Sequence, residues 1–321
     1  MINENELQSL LTLLDDTDRE VVEHVEQRIL SFGEEVIPML ENQWQINYNE
    51  VLQHRLERLI QRIRFDSLVA DLKKWHLSEF PDLLEGVWLI ARYRYPSLKL
   101  DDLEAEIDRI KLDVWLEMHN VLSALEKVRV INHVIYSVHG FKGNTKNYHA
   151  PQNSFINDVI ASRSGNHIGM SIIYALVAQR LNLPVYGINL PNHFLLCYKE
   201  ENDNWHYEQE SFNTKHELDY KQGDVLFYIN AFNNGILLTR KNLDQFLKQM
   251  HLENKQEYFE PCSNVDIVKR VLRNLFHAYD DLNDEIRCNE VNLLFSALDE
   301  LPMQRQPKVS DAANDEGDAE E

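Results

Sequence analysis

Apolar residues recur every three or four positions through the first 76 residues, a spacing that places them on one face of an α-helix. Val21, Val25 and Ile29 form the clearest stripe, and Gly33 follows at a position typical of the residue that ends a helix. A long helix with a charged face is predicted from about residue 48 to residue 76. The pattern therefore predicts that residues 1–76 are entirely helical.

Two of these helices form a predicted hairpin. Thr17 and Glu20 have the spacing of a capping box at the start of the first helix, and Pro38 lies near the first turn of the second, where its missing N–H costs little. The pair resembles a HEAT-type repeat unit through Asp18, the apolar stripe, Gly33 and the run IPML. One convincing copy is evident, whereas a solenoid needs several, so an ordinary helical hairpin remains the alternative.

The middle of the chain changes from helical spacing to strands. Three amphipathic helices are predicted between residues 80 and 140, followed by a polar ordered loop over residues 142–157 and a strongly apolar helix over residues 166–182. Strand-like runs follow at residues 185–189, 193–199, 205–209, 225–229 and 236–238. Strands segregated after helices in this way indicate an α+β fold that is mostly helical.

The end of the chain returns to helices. The segments VDIVKRVLRNLFHAY and DEIRCNEVNLLFSAL predict an antiparallel helical hairpin, and the acidic residues after it predict a disordered tail. The sequence thus divides into four predicted parts. They are the helical residues 1–76, a core with a helical lead-in over residues 77–260, a helical hairpin over residues 261–302 and a tail over residues 303–321.

The composition argues against several classes of protein. The net charge is −21 at pH 7, whereas nucleic-acid binders usually carry a basic patch or stripe. No run of about 18 apolar residues occurs, so no membrane span is expected. The start of the sequence is polar and acidic, unlike a signal peptide, and the three scattered cysteines fit a reducing compartment. We therefore expect a cytoplasmic protein.

Candidate chemistry lies around the apolar helix. His167 and Ser171 are one turn apart near its start, on a face that small residues complete. A nucleophile at that end of a helix gains from the helix dipole and from free N–H groups. His193 begins the second strand-like run, directly after the turn-forming residues LPN.

This order of elements, a buried helix and then strands with a histidine on the second, is similar to the transglutaminase-like superfamily. That superfamily shares its core with papain-type cysteine proteases. The chain resembles most the bacterial members described as regulators of sirC expression, which carry tetratricopeptide-type helices at the C-terminal end. The matching stretches, from about residue 80 to about residue 298, are FPDLLEGVWLIARYRYPSL, GFKGNTKNYHAPQNSFINDVIASRSGNHIGMS, RLNLPVYGINLPNHFLL and FYINAFNNGILLTR.

The resemblance implies a central helix packed against a small antiparallel sheet, with a Cys-His-Asp triad in active members. His193 falls on the triad histidine, and Asn230 falls on the residue that orients its ring, where relatives usually have Asp. The cysteine position falls at about His167, and no residue from 163 to 171 is a cysteine. Cys197 cannot substitute, because it lies roughly 13 Å from His193 at 3.3 Å per strand residue.

Ser171 is the residue that could replace the missing cysteine. Paired with His193 and Asn230, it would make the chain a hydrolase or amidase. The alternative is a small residue that allows close packing of the helix on the sheet, and we favour this interpretation because Ser171 lies about one turn inside the helix.

The segment NSFIND precedes the apolar helix and matches a signature of the related proteins. We interpret Asn153, Asn157 and Asp158 as residues that fix the loop backbone or bind in the cleft. A metal site built from His167, His193 and Asp158 matches no known ligand pattern, so no metal and no other cofactor is predicted.

The sequence therefore predicts a cytoplasmic bacterial protein with a degenerate transglutaminase-like core. Its leading predicted function is non-catalytic: a scaffold or regulatory module that binds a protein or peptide, with no nucleic-acid or membrane partner. The hydrolase that uses Ser171 is the first alternative. A structural remnant whose cleft is filled by side chains is the second.

Overall fold

A computed structural model describes residues 4–119, 121–191, 193–200 and 224–305. The described chain forms helices α1 to α12 and strands β1 to β6. In chain order they are α1 (Glu4–Leu13), α2 (Arg19–Leu30), α3 (Ile37–Ile46), α4 (Glu50–His76), α5 (Leu83–Arg94), α6 (Leu100–Glu117), α7 (Ala124–Asn132), β1 (Lys142–Gly143), α8 (Ile156–Ser162), β2 (Ser164–Gly165), α9 (His167–Arg180), β3 (Val185–Leu190), β4 (His193–Lys199), β5 (Val225–Asn230), β6 (Ile236–Leu238), α10 (Arg240–Gln249), α11 (Asn264–Asp281) and α12 (Glu285–Ser296).

Helices α1 to α3 and the first half of α4 enclose a small apolar core. The core contains Val25, Ile29 and Leu40, each at most 4% exposed. The helical prediction for this region is confirmed, but the predicted capping box is wrong. Asp18, not Thr17, caps α2, because its carboxylate accepts the N–H of Glu20 at 2.9 Å.

Helix α4 connects this small core with the main one. Its residues from Leu52 to Ile63 pack into the N-terminal core, whereas those from Leu68 to Trp75 pack into the main core. The two cores therefore meet along α4, about one helical turn after Ile63.

The main core is built on α9 and a four-stranded antiparallel sheet of order β3-β4-β5-β6. Side chains of a strand alternate between its faces. On β4, Phe194, Leu196 and Tyr198 belong to the same core as α9. Leu195 and Cys197 instead pack in a third cluster with α10. The α+β fold with a central helix and a small antiparallel sheet is thereby confirmed.

The polar loop predicted between α7 and α9 holds structure that the sequence pattern did not indicate. A π-helical turn over His133–Val138 continues α7 within the predicted helix, whereas the residues predicted as a polar loop form β1 and a 3-10 turn over Pro151–Ser154. Helix α8 then leads to β2, which pairs in parallel with β1 and ends directly before α9. The N-terminal end of α9 is therefore held by its own small sheet.

The C-terminal hairpin is part of the main core. Helix α11 packs against α5 and α9, and its Val268, Leu272 and Phe276 are fully buried there. Residues 303–305, predicted to belong to the tail, instead contact the hairpin: the Met303 N–H donates to Asn292 and Arg305 pairs with Asp280. The predicted strand at residues 205–209 and the tail from residue 306 lie outside the described residues. None of the described helices is long and apolar enough to cross a membrane.

Candidate functional site

The N-terminal end of α9 presents the His167 ring to the sheet. Asn166 caps the helix, because its buried side-chain carbonyl accepts the N–H of Gly169 at 2.9 Å. A Cβ atom at Gly169 would lie 3.0 Å from the backbone oxygen of Asn153, so the glycine allows the preceding loop to lie against the helix. His167 is consequently the first helical residue, and its ring projects from a helix end that these contacts hold in place.

Four rings lie in series at this end of the helix, and we call them the ring stack: Phe232, His167, His193 and Phe246. The His167 ring lies 4.1 Å from the ring of Phe232 and 4.7 Å from that of His193, centroid to centroid, with interplanar angles of 17° and 35°. The His193 ring lies 4.7 Å from that of Phe246 at 27°. The structure thus brings the two predicted histidines into direct contact and places an aromatic ring on the outer side of each.

Tyr148 contacts the ring stack from the side. Its hydroxyl and His167 Nδ1 form a hydrogen bond of 2.8 Å, and its ring lies edge-on to the ring of His167. Asn153 holds the Tyr148 loop, since its side-chain amide donates to the backbone oxygens of Asn147 and Tyr148 at 2.7 and 2.9 Å and its carbonyl accepts from Asn144. Asn153 therefore fixes the loop that positions Tyr148.

Burial keeps the His167 ring neutral at pH 7. Desolvation, followed by the charges of His193 and Arg270, lowers the pKa of His167 from 6.5 to about 4. Burial also lowers the pKa of Arg270 and raises that of Tyr148. Since all of these shifts follow first from loss of water, the site is a poorly solvated one.

Ser171 is not brought into hydrogen-bond contact with His193. Its side chain lies in α9, 0% exposed, and its hydroxyl has no hydrogen-bond partner among the described residues. A serine nucleophile needs a base within hydrogen-bond reach. The arrangement required for a Ser171 hydrolase is therefore absent from this part of the chain as described, and the serine instead fills a tightly packed helix face.

Asn230 ends β5 and caps the turn that follows. Its side-chain oxygen accepts the N–H of Asn233 at 3.2 Å. The residue therefore shapes the turn that carries Phe232.

Asp158 and Asn157 lie away from the histidines. Asp158 accepts hydrogen bonds from the Tyr95 hydroxyl at 2.9 Å and from the Asn157 amide at 3.0 Å, and burial raises the pKa of its carboxyl. Among the described residues, no group of three or more His, Cys, Asp or Glu side chains is arranged to hold a metal ion.

The three cysteines offer no nucleophile near His193. Burial raises the pKa of the Cys197 thiol to about 12 and also raises the pKa values of Cys262 and Cys288. Cys197 faces the α10 side of the sheet, where it is 0% exposed. A thiol in such surroundings stays protonated and unreactive.

The sequence analysis missed three aromatic residues of the site. Phe232 lies against the position of Gly143, where a Cβ atom would come within 2.7 Å of its ring, and Phe246 comes from α10. Tyr148 lies in the loop before α8. The run INAFNNG contains Phe232, but no periodicity links it to His167.

Comparisons with known proteins agree with the α+β fold. The family model described as the transglutaminase-like superfamily matches residues 101–273, more than half of the chain.

A UPF0162 protein of Xylella fastidiosa strain 9a5c is 25% identical over 208 residues, which cover 63% of this chain and 66% of the relative. Human F-box only protein 21 is 26% identical over 217 residues, which cover 60% of this chain and 32% of the relative. A UPF0162 protein of Vibrio cholerae is 23% identical over 222 residues, 67% of this chain and 73% of the relative. The matches thus span just under two thirds of the Xylella protein and about a third of the human one. No solved structure matches the chain significantly.

Proposed function

Because the chain belongs to the transglutaminase-like superfamily, we propose that it is a non-catalytic member that recognises a protein or peptide. One observation carries the proposal: the His167 ring fills the start of α9, between the rings of Phe232 and His193. By the resemblance, this is the position of the nucleophilic cysteine in active members. An imidazole there cannot form the thioester on which the chemistry of a catalytic cysteine depends.

The rest of the site supports the same proposal. The neutral His167 ring contacts His193 through its face. The Asn230 side chain is used by its own turn, and the Ser171 hydroxyl has no partner among the described residues. Asn230 thus has a structural role, and Ser171 lacks the base contact that a nucleophile requires.

A binding function is supported by the elements around the core. Helical hairpins precede and follow the sheet along the chain, and helical hairpins of HEAT and tetratricopeptide type present surfaces for proteins. We assign the N-terminal helices to the HEAT-like type and α11 and α12 to the tetratricopeptide-like type. Several relatives are named F-box only protein 21 and match over 217 residues, 60% of this chain, which supports a role in protein recognition. A cytoplasmic regulator of gene expression, without direct DNA contact, is the form of this role that we propose.

An activity assay tests the non-catalytic part of the proposal. The full chain is incubated with a glutamine-containing peptide and a fluorescent primary amine, and in parallel with peptide amides and esters. We expect no turnover above the buffer. Turnover that disappears in Ser171→Ala or in His193→Gln would overturn the proposal and establish a hydrolase or acyltransferase.

A selection experiment tests the binding part. Random peptides displayed on phage are selected on the immobilised full chain, and the enriched sequences are synthesised and titrated by calorimetry. We expect saturable binding with a dissociation constant of about 1–100 μM, the range of short peptide motifs with few anchors. If no enriched sequence binds the folded chain, or if all of them bind the urea-unfolded chain equally well, the binding function is wrong.

A further inference from the structure

A second concave site lies behind the Tyr148 loop, and we call it the hairpin pocket. It has a volume of about 600 Å³ and is lined by the Tyr148 loop, the end of α5, α8 and the α11–α12 turn. Tyr95 and Phe155 form part of its wall, in edge-to-face contact with ring centroids 6.0 Å apart. A pocket of this volume is within the range that accommodates a small ligand or a few residues of a peptide.

The hairpin pocket is lined by more basic than acidic residues, whereas the chain as a whole has more acidic ones. The chain carries 53 acidic and 32 basic residues, yet the pocket is lined by Arg94, Lys146 and Arg287 against Asp158 and Asp281. The two arginines also border the buried Tyr279 ring: Arg287 lies 5.2 Å from its centroid, and both arginines lower its pKa against the larger effect of burial.

Two of these cations form no salt bridge in the described part of the chain, although the charge of Arg94 lowers the pKa of the nearby Asp158 carboxyl against the larger effect of burial. Arg94 and Lys146 are exposed, and neither forms a salt bridge with any residue in the described ranges. Asp158 is directed inward to Tyr95 and Asn157, and burial raises its pKa. In a protein of net charge −21, two cations without a salt bridge at one pocket make a local site that attracts carboxylates.

The described chain ends at the rim of this pocket. Arg305 pairs with Asp280 at 2.7 Å and also with Glu285, the residues that flank Asp281 and Leu282 of the pocket lining. The next sixteen residues, QPKVSDAANDEGDAEE, contain six carboxylates and one lysine. A strongly acidic segment therefore follows a residue that is held at the α11–α12 turn, which forms one wall of the hairpin pocket.

We propose that the hairpin pocket binds the acidic segment 311–321 of the same chain. The five residues between Arg305 and Asp311 reach at most about 18 Å when extended, enough to cross the rim of a pocket of this volume. Because the tether is short, the effective concentration of the segment at the pocket is about millimolar, so a weak electrostatic contact is sufficient. The segment is then an intramolecular competitor for any acidic peptide that binds there. This proposal stands independently of the partner proposed above.

The test uses a fluorescein-labelled synthetic peptide of residues 306–321 and fluorescence anisotropy. The protein is the full chain in which the six tail carboxylates, Asp311, Asp315, Glu316, Asp318, Glu320 and Glu321, are changed to the corresponding amides. We expect this variant to bind the peptide at least about ten-fold more tightly than the unaltered chain, whose own tail competes. Binding should weaken as sodium chloride is raised, because the contact is between exposed charges.

A charge-matched pair of double variants locates the binding. In the amide-tail background, Arg94→Glu with Lys146→Glu should weaken binding at least about ten-fold, whereas Arg109→Glu with Lys241→Glu, two exposed cations elsewhere, should change it less than about two-fold. Thermal unfolding of each variant verifies that the fold is kept. The proposal is wrong if the amide-tail chain does not bind the peptide, or if both pairs weaken binding equally. It is also wrong if the unaltered and amide-tail chains bind equally well, since the pocket would then take acidic segments of other molecules only.

Discussion

The ring of His167 lies against the ring of His193, with centroids 4.7 Å apart and planes 35° apart. One ring comes from the first residue of α9 and the other from the first residue of β4. Two imidazoles in such contact resist carrying a charge at the same time, and burial disfavours the charge on His167 further. Proton binding to this histidine pair is therefore linked to folding.

Acid should destabilise the protein through His167. Its pKa is about 4 in the folded protein, against 6.5 in the unfolded chain. Between these values the unfolded state binds more protons than the folded state, so the free energy of unfolding falls as the pH falls. The ring is partly exposed, and we expect a loss of about 1–2 kcal/mol from pH 7 to pH 4 after allowing for solvent screening.

Urea unfolding of the wild-type chain and of His167→Phe at several pH values measures this loss. The phenylalanine keeps a ring in the stack and removes the titration, so the stability difference between the two chains should change with pH. His24→Gln, at an exposed histidine of α2, is the control and should follow the wild type. Parallel pH curves for His167→Phe and the wild type would contradict the depressed pKa.

A cysteine in place of His167 should be reactive. In His167→Cys the thiol lies at the start of α9, where the helix dipole and a neighbouring histidine favour the thiolate. The native thiols are slow by comparison, because burial raises the pKa of Cys197 to about 12 and also raises those of Cys262 and Cys288.

Iodoacetamide labelling at pH 6, followed by mass spectrometry, measures the reactivity. We expect the new thiol to react at least about ten-fold faster than a cysteine in the matched variant Gln8→Cys, an exposed position in the middle of α1. Equal rates in the two variants would show that this end of α9 does not activate a nucleophile.

Removal of the Ser171 hydroxyl should not destabilise the protein. The hydroxyl is fully buried and has no hydrogen-bond partner among the described residues, so Ser171→Ala removes a desolvated polar group without orphaning another. We expect stability to be unchanged or raised by about 1 kcal/mol in urea unfolding. Ser263→Ala, which removes the cap of α11, should cost about 1 kcal/mol. A loss of more than that in Ser171→Ala would indicate a hydrogen bond that this geometry does not contain.

Asn153 should be essential for the Tyr148 loop. Asn153→Ala leaves the backbone oxygens of Asn147 and Tyr148 without their buried donor, and we expect a loss of about 2–4 kcal/mol in urea unfolding. The neighbouring exposed Gln152→Ala should have little effect. In Asn153→Ala the pKa of His167 should also move towards its ordinary value, because a loosened loop admits water, and an NMR titration measures this shift. An unchanged pKa of His167 would show that the Tyr148 loop does not control the solvation of the ring stack.

Two glycines with positive φ should respond differently to alanine. Gly33 (φ +65°) has open space where a Cβ atom would lie, whereas at Gly235 (φ +69°) the Cβ atom would come within 2.1 Å of Asn132 Oδ1. We expect Gly33→Ala to cost about 1 kcal/mol, from backbone strain alone. Gly235→Ala should cost at least about 2 kcal/mol more, because it also displaces the Asn132 amide that donates to the Gly235 backbone oxygen. Thermal or urea unfolding of both variants gives the difference, and similar losses would contradict the predicted clash.

The helices and most strands could be predicted because their signals are local. The predicted strands at residues 193–199 and 236–238 have the bounds of β4 and β6, since aromatic and aliphatic runs between turn residues define them. Helix α8 was missed because its seven residues are too few to show a helical period. At α2, both Thr17 and Asp18 can cap, and only the structure shows that the Asp18 carboxylate reaches the Glu20 N–H.

The site could be predicted only in part. The resemblance to the transglutaminase-like superfamily implied that His167 lies near His193, and the two rings do meet. Phe232 and Phe246 come from a turn and a helix far along the chain, and no short-range pattern brings them to the histidines. The Ser171 and Asn230 interpretations depended on side-chain orientation, which follows from three-dimensional packing rather than from position along an element.

Helix α4 fixes the rotation of one apolar core relative to the other. It runs for 27 residues without a break, and its apolar face turns from one core to the other between Ile63 and Leu68. One residue inserted at that crossover would rotate the second apolar face by about 100° away from its core. Insertions of seven or eleven residues rotate it by only about 20°, in opposite senses, and an insertion of about eighteen residues completes five turns, so the spacing between the two cores can change in such steps but not by single residues.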